Sequence, residues 1–327
     1  MATYKAIKGI KVQNLSSDPT LAEGDVWYNT TSNTLKYAAV SVLAGTWSSG
    51  NATNTGRHAL ASGGTQSAGF IAGGGSPPRI AETELFDGTN WTVSGNLPAV
   101  NSYLCGYGTS SSAGFSACGS LPATTNNTQS FDGSTWTAQP AANTARSALG
   151  GAGTSTSGII MGGQPPYYAI TETFNGSSWT ETSNLNQARS YNTASGTSNT
   201  SALCFFGSNP TGYPGGMVLT EEWDGSTWTE VGDMNNVRSG CQQCGGLGTP
   251  SNTLAFGGQP GPYAYTEFYN GTAWTELADL ATPRGQGGGG GNSLAAFYAC
   301  GSSPATPFST VNEVWNGALG ALTVTAS

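Results

Sequence analysis

Five arginines, Arg57, Arg146, Arg189, Arg238 and Arg284, recur at equivalent places in this chain, and each has a downstream glutamate, Glu84, Glu172, Glu221, Glu267 or Glu313. Two chemistries fit that pattern: a ring of cations gripping an anion, or five internal ion pairs. The second repeat separates them, because Ser102 stands there in place of Arg and Gln129 in place of Glu. Both partners vanish together, as an ion pair requires when a lone buried charge is costly. The expectation is therefore structural. Hydrolytic or metal chemistry has little to draw on. His58 is the single histidine, and it would have to serve alone in a Ser-His-Asp triad or a histidine metal site.

The repeated acids have a plainer role. They lie in TETFNGSSWTE, TEEWDGSTWTE and TEFYNGTAWTE, where the residue before Gly runs Asp87, Asp132, Asn175, Asp224, Asn270, Asn316. A catalytic carboxylate would not be exchanged so freely for an amide. Asp/Asn-Gly between aromatic residues reads as a tight hairpin in which both residues tolerate positive φ. Glycosidase chemistry needs two neighbouring carboxylates, and no non-repeating acidic pair stands out.

These residues are set in a repeating frame. The aromatics Phe86, Phe131, Phe174, Trp223, Tyr269 and Trp315 precede the turns, and Trp91, Trp136, Trp179, Trp228 and Trp274 follow at intervals of 45, 43, 49 and 46 residues. Ahead of each phrase lies an apolar strand ending in Gly, such as GFIAGGG or GIIMGGQ, and ahead of that a strand of small residues such as RSALGGAGT. Four short strands per unit is the pattern of a propeller blade. The sixth unit has Gly320 where Trp should stand, while a surplus Trp47 sits ten residues before Arg57, the spacing found from Trp136 to Arg146. The strand around Trp47 is thus expected to complete the sixth blade from the N-terminal side and close the ring. A seventh blade built from residues 1–50 is the alternative.

Composition agrees with an all-β chain: 49 of 327 residues are Gly and charged residues make up 9 %, against the usual quarter. Residues 1–40 hold all four lysines and carry a net +1, while the remainder carries −9. An acidic body argues against nucleic acid or an anionic membrane as partner. No apolar run is long enough for a helical span, and MATYKAIKGIKVQ lacks the stretch of a signal peptide.

The Gly-Gly after the second strand, the aromatic and Trp around the last hairpin, and the Arg opening each unit resemble the kelch and galactose-oxidase-like propellers over roughly residues 44–317. The resemblance implies that loops near the arginines line the mouth of a central channel. A copper radical oxidase of that class needs two His ligands and a Cys-modified Tyr, which a single His cannot provide. The DGSTW phrases resemble the boxes of sialidase-like propellers, but adjacent Asp and Gly break the spacing. The stretch GDVWYNTTSNTLKY resembles short hairpin segments of tail-fibre and other virion proteins of tailed bacteriophages.

Six cysteines remain. Cys118, Cys204 and Cys300 occupy second-strand positions held by Ala, Met or Phe elsewhere, so buried free thiols are expected. Cys105 and Cys118 flank a turn and are placed for a cross-strand bridge, and Cys241 with Cys244 forms a lone C-x-x-C.

The loops between second and third strands are the better ligand candidates. Proline stiffens them, and Tyr167, Tyr168, Tyr213, Tyr263 and Tyr265 place flat amphipathic rings on one rim. The expected architecture is an N-terminal docking segment over 1–40, a six-bladed kelch-like β-propeller over 41–320 and a tail over 321–327. The expected function is non-enzymatic, without cofactor or metal. It is that of a multi-copy structural protein of a tailed-phage virion, held to other virion proteins through residues 1–40 and reading a host-surface glycan. The alternative is a cellular, cell-surface or secreted kelch-type scaffold that binds a protein.

Overall fold

The computed structural model describes residues 12–20, 25–209, 216–239, 249–259, 261 and 263–323. Every regular element among them is a β-strand, and none is a helix. Contacts group the chain into two compact units, one of residues 1–44 with 317–327, the other of residues 45–316.

The larger unit is a β-propeller-like series of repeated antiparallel sheets. In the first repeat, Ala61–Thr65, Ala68–Ala72, Thr83–Phe86 and Trp91–Ser94 pair in sequence order. The same four-strand order returns from Cys105–Ser110 to Trp136–Gln139, from Gly150–Thr154 to Trp179–Thr182, and from Thr193–Ser198 to Trp228–Glu230. In the fifth repeat Thr253–Phe256, Thr266–Tyr269 and Trp274–Glu276 are described. In the sixth, Gly288–Gly291 and Ala295–Ala299 lead into strand Asn312–Thr323, whose next neighbour in the sheet is Thr34–Gly50.

Small first strands follow from how closely the repeats approach. A Cβ on Gly106 would stand 2.7 Å from the backbone nitrogen of Ser62 in the preceding repeat, which no side chain tolerates. The second strands are apolar because they fill the space between sheets. Phe70 packs on Phe131 and Trp136, Phe115 on Phe174 and Trp179, Phe205 on Trp274, and Phe297 on Phe86 and Trp91. Burying one such side chain stabilises by about 1.5–3 kcal/mol.

The tryptophans add a directional latch. The indole N–H of Trp136 donates to Thr83 Oγ1 at 2.9 Å, Trp228 to Thr171 at 2.9 Å and Trp274 to Thr220 at 3.0 Å, each reaching back one repeat. Trp47 donates in the same way to Thr266 Oγ1 at 2.9 Å and packs on Phe256 at 4.8 Å. It therefore makes to the fifth repeat the contacts that Trp274 makes to the fourth.

In the smaller unit, Gln13–Leu15 runs parallel to Val26–Asn29, which pairs antiparallel with the strand beginning at Thr34. Asp18 organises it. Its Oδ1 accepts from Trp27 Nε1 (3.1 Å) and Asn29 Nδ2 (2.7 Å), and Lys36 lies 2.8 Å from Oδ2. The Lys36 bond, reinforced by Asn29, holds the Asp18 carboxyl below its usual range. Trp27, the tryptophan of the GDVWYNTTSNTLKY stretch, is buried. Lys5, Lys8 and Lys11 lie outside the described residues.

Candidate functional site

Each repeated charged residue can now be placed. Arg57 reaches Glu84 at 2.5 Å, Arg238 reaches Glu267 at 2.7 Å and Arg284 reaches Glu313 at 2.5 Å, while Arg146 pairs with Glu172 and Arg189 with Glu221. All ten side chains are buried, and each pair lies within one repeat. The arginines also donate to carbonyls at the ends of their own sheets. Arg189, for example, reaches the Phe206 and Leu219 oxygens. Among the described residues, Arg146 Nε and Nη2 and Arg238 Nε have no hydrogen-bond partner, but all five guanidinium groups are buried and present no fork to an anion in solvent.

The glutamates reveal a third member of the set that sequence reasoning missed. Glu84 accepts from the backbone N–H and side-chain amide of Asn54, Glu221 from those of Asn186, and Glu267 from those of Asn235. The amide of each of these asparagines also donates to the carbonyl of a hairpin tryptophan, Trp91, Trp228 or Trp274. The signal was present as an Asn three residues before four of the five arginines, N-T-G-R, N-T-A-R, N-Q-A-R and N-N-V-R, with Ala281 in that place before Arg284.

The second repeat requires a correction. Ser102 pairs with Ser120 as His58 does with Gly75 and Ser147 with Gln164, so the residue in register with the arginines is Asn101. Asn101 donates to the Cys118 carbonyl and accepts from the Ser120 N–H, and Gln129 accepts from Ser116 Oγ at 2.9 Å. A neutral pair of amides thus stands where the other repeats keep an ion pair.

The hairpin also differs from the expected form. Phe86 pairs with Trp91 across a four-residue loop, and only its glycine takes positive φ, 95° at Gly88. Asp87 Oδ1 accepts the N–H groups of Thr89 and Asn90, and Asn175 Oδ1 those of Ser177 and Ser178. One oxygen accepts both loop N–H groups, and Asp and Asn both carry it; at Asp132 and Asp224 a threonine hydroxyl also donates to the second oxygen. Asn316 is an exception: it lies within a strand, opposite Ala295. Backbone N–H bonds hold the Asp132 carboxyl well below its usual range and that of Asp224 down to about 2.

His58 is half-buried. Its ring lies nearly parallel to Phe308, with centroids 5.4 Å apart, and its Nδ1 is 3.3 Å from the Pro307 oxygen. Burial pushes its pKa down. Cys105, Cys118, Cys204 and Cys300 are buried free thiols, and burial raises Cys118 and Cys204 to about 11. Cys241 and Cys244 lie outside the described residues. Among the described residues, no group of three His, Cys, Asp or Glu side chains could hold a metal ion.

The loop tyrosines are half-buried and held by the backbone. Tyr168 N–H donates to the Gly163 oxygen (2.8 Å) and Tyr263 N–H to the Gly258 oxygen (2.9 Å), while Arg189 and Arg284 N–H groups donate back to the carbonyls of Tyr168 and Tyr263. Tyr263 and Tyr265 stack with centroids 5.2 Å apart and planes 25° from parallel. Tyr167 sits beside Tyr168, and Tyr213 lies outside the described residues.

At the other end of the first strands is a cavity of about 220 Å³, lined by turn residues including Gly64, Thr65, Gly153, Gly196 and Asn292. A Cβ on Gly64 would stand 2.3 Å from the Ala68 oxygen, so glycine there answers to its own hairpin. The lining holds no charged or nucleophilic centre beyond threonine hydroxyls and suits ordered water. No protein-family model matches the chain, and no curated protein does either.

Proposed function

We propose that this chain is a non-enzymatic binding propeller of kelch-like kind, displayed on a tailed-phage virion. On this reading the larger unit is a ring of six blades, with the strand around Trp47 supplying the outer strand of the last. Residues 1–40 dock it to other virion proteins, and the aromatic loop face reads a host-surface glycan. Supporting the six-blade reading, Trp47 repeats the latch of Trp136, Trp228 and Trp274, and Phe297 of the sixth repeat packs on Phe86 and Trp91 of the first.

The glycan reading is carried by one observation, the stacked Tyr263–Tyr265 pair on loops pinned through the ion-paired arginines. Rigid, half-exposed tyrosines offer flat apolar faces with polar tips, and they lose little entropy when a pyranose ring stacks on them. The repeated acids and bases, by contrast, are committed to turns and buried pairs.

The test is binding of the purified chain to intact bacterial cells and to a polysaccharide panel, beside a Tyr167/Tyr168/Tyr263/Tyr265→Ala variant. Saturable binding lost in the variant is the expected result. Equal binding by both forms would remove the rim from the account. Capture of one protein partner, with no saccharide bound, would favour the protein-binding scaffold.

A further inference from the structure

Five residues just beyond the arginine register share an unusual backbone. Ala59, Tyr103, Ala148, Tyr191 and Gln286 all sit in the left-handed region, with φ between 53° and 59°. They are linked one to the next. The N–H of Ala59 donates to the Gln286 oxygen, Tyr103 to Ala59, Ala148 to Tyr103 and Tyr191 to Ala148, at 2.7–2.9 Å. This relay joins successive repeats where the first strands begin, at the inner edge of the loop face.

Left-handed backbone costs a non-glycine residue roughly 1–2 kcal/mol, and glycine escapes that cost. A chain with 49 glycines nevertheless keeps two tyrosines and a glutamine here. Ala59 and Ala148 are fully buried, and their methyl groups fill space. Tyr103, Tyr191 and Gln286 are half-buried and present surface. Strain kept in three half-buried side chains that reach the surface points to use rather than to packing alone.

Their surroundings indicate what that use is. The Tyr103 and Tyr191 rings meet edge to face at 6.1 Å, Tyr103 lies 6.4 Å from His58, and Gln164 donates to the Tyr191 hydroxyl at 3.0 Å. Hydroxyls border them: Ser190 and Ser208 pair beside Tyr191, as Ser102 and Ser120 do beside Tyr103, and the Oγ atoms of Ser102, Ser190 and Ser208 are buried without a partner. The arginines two residues before Ala59, Ala148, Tyr191 and Gln286 are buried in ion pairs, and Arg79 donates from Nη1 to the Ser120 carbonyl. Aromatic rings beside amides and hydroxyls match an uncharged polyhydroxylated ring, whereas the arginines of the register are buried and offer a phosphate or carboxylate no exposed cation.

We infer that Tyr103, Tyr191 and Gln286 form a hub subsite for a neutral pyranose, separate from the rim tyrosines, with the two rings as stacking platform and Gln286 as polar determinant. The inference rests on the saccharide reading of the loop face but places recognition at the first-strand hub.

The test uses the full chain and the methyl glycosides of glucose, galactose, mannose and N-acetylglucosamine, with glucuronic acid as the charged counterpart. Affinity is read by titration and saturation-transfer NMR. Tyr103→Gly and Tyr191→Gly suit the backbone, since glycine adopts these angles freely. Their melting temperatures are expected to move by only a few degrees while affinity for at least one neutral glycoside falls about tenfold or more. Tyr191→Phe keeps the ring, and its affinity should fall less than that of Tyr191→Gly.

Unchanged affinity in both glycine variants overturns the hub subsite, as does glycoside binding by neither wild type nor variant. A large fall in melting temperature also overturns it, by showing the rings to be packing. Running the rim variant alongside keeps the two readings distinguishable. Cell binding lost in the rim variant, with glycoside binding intact in the hub variants, sinks the hub alone. Glycoside binding lost in the hub variants, with cell binding intact in the rim variant, sinks the rim alone.

Discussion

The pair Arg189–Glu221 can be exchanged for the solution that the second repeat already uses. Arg189→Asn alone removes the cation from a fully buried Glu221 and leaves the Phe206 and Leu219 carbonyls short of donors. Glu221→Gln alone replaces an acceptor oxygen with an amide donor facing the Asn186 and Gln187 N–H groups, and strands a buried guanidinium. Breaking one side of such a pair costs about 3–5 kcal/mol. The double variant installs the amides of Asn101 and Gln129, and their acceptor and donor have counterparts at Phe206 O and Ser208 N. It should cost about 2–3 kcal/mol less than the sum of the singles. At about 2 °C per kcal/mol for a unit of this size, each single lowers the melting temperature by about 6–10 °C. Denaturant unfolding of the four proteins of the cycle gives the coupling directly. Additive losses, or single losses under about 1 kcal/mol, would refute the claim that burial of a lone charge keeps these residues together.

Trp47→Ala removes the bond to Thr266 and the contacts with Phe256 and Trp315. Trp47 is half-buried, so the change should destabilise by about 2–3 kcal/mol in denaturant unfolding, less than loss of a fully buried tryptophan, and a loss under about 1 kcal/mol would detach that strand from the sixth repeat. Asp224→Asn should lower the melting temperature at pH 7 far less than Asp224→Ala, because Oδ1 keeps the Ser226 and Thr227 N–H groups and only the 3.3 Å bond from Thr227 Oγ1 to Oδ2 is lost. Since the folded Asp224 titrates near 2, below its unfolded value, its contribution is present above pH 4 and is lost as pH falls toward 2. Melting curves from pH 5 to pH 2 should therefore converge for wild type and Asp224→Ala. With Cys241 and Cys244 changed to Ser, the four buried thiols should resist a thiol reagent at pH 8 until denaturant is added, and a fast native reaction would contradict their burial.

What was legible in the sequence was whatever the repeat writes in side chains. Trp, Phe, Gly and the Arg–Glu pairs recur at fixed spacing, and their recurrence carried strand order and the inference that the charges pair. Less legible was what depends on the backbone. The one-residue shift between Ser102 and Asn101 is invisible without the Ser102–Ser120 bridge that sets the register. The loop at Asp87 looks like a two-residue turn until the Asp87 N–H is seen to donate across it to the Asn90 oxygen. Nor do letters reveal that Tyr103, Tyr191 and Gln286 share one strained conformation, because a left-handed residue carries no mark of its own when it is not glycine.

That last blind spot bears on where function sits in a repeat protein. Positions that obey the repeat answer to the scaffold, since most repeats use the same latch, turn and ion pair. Positions where backbone geometry repeats but side chains vary are free of that demand, and the left-handed residues are such positions: Ala, Tyr, Ala, Tyr and Gln on one conformation. Buried alanines there are explained by packing. The tyrosines and the glutamine are not, because glycine would serve the backbone better and reach solvent equally well. The same reasoning separates Tyr168 and Tyr263 from their equivalents in other loops, where Ile80, Thr125 and Ser309 make the same backbone bond without an aromatic ring. Variation on a fixed backbone is where this chain is free to be selective, and both saccharide proposals rest on it.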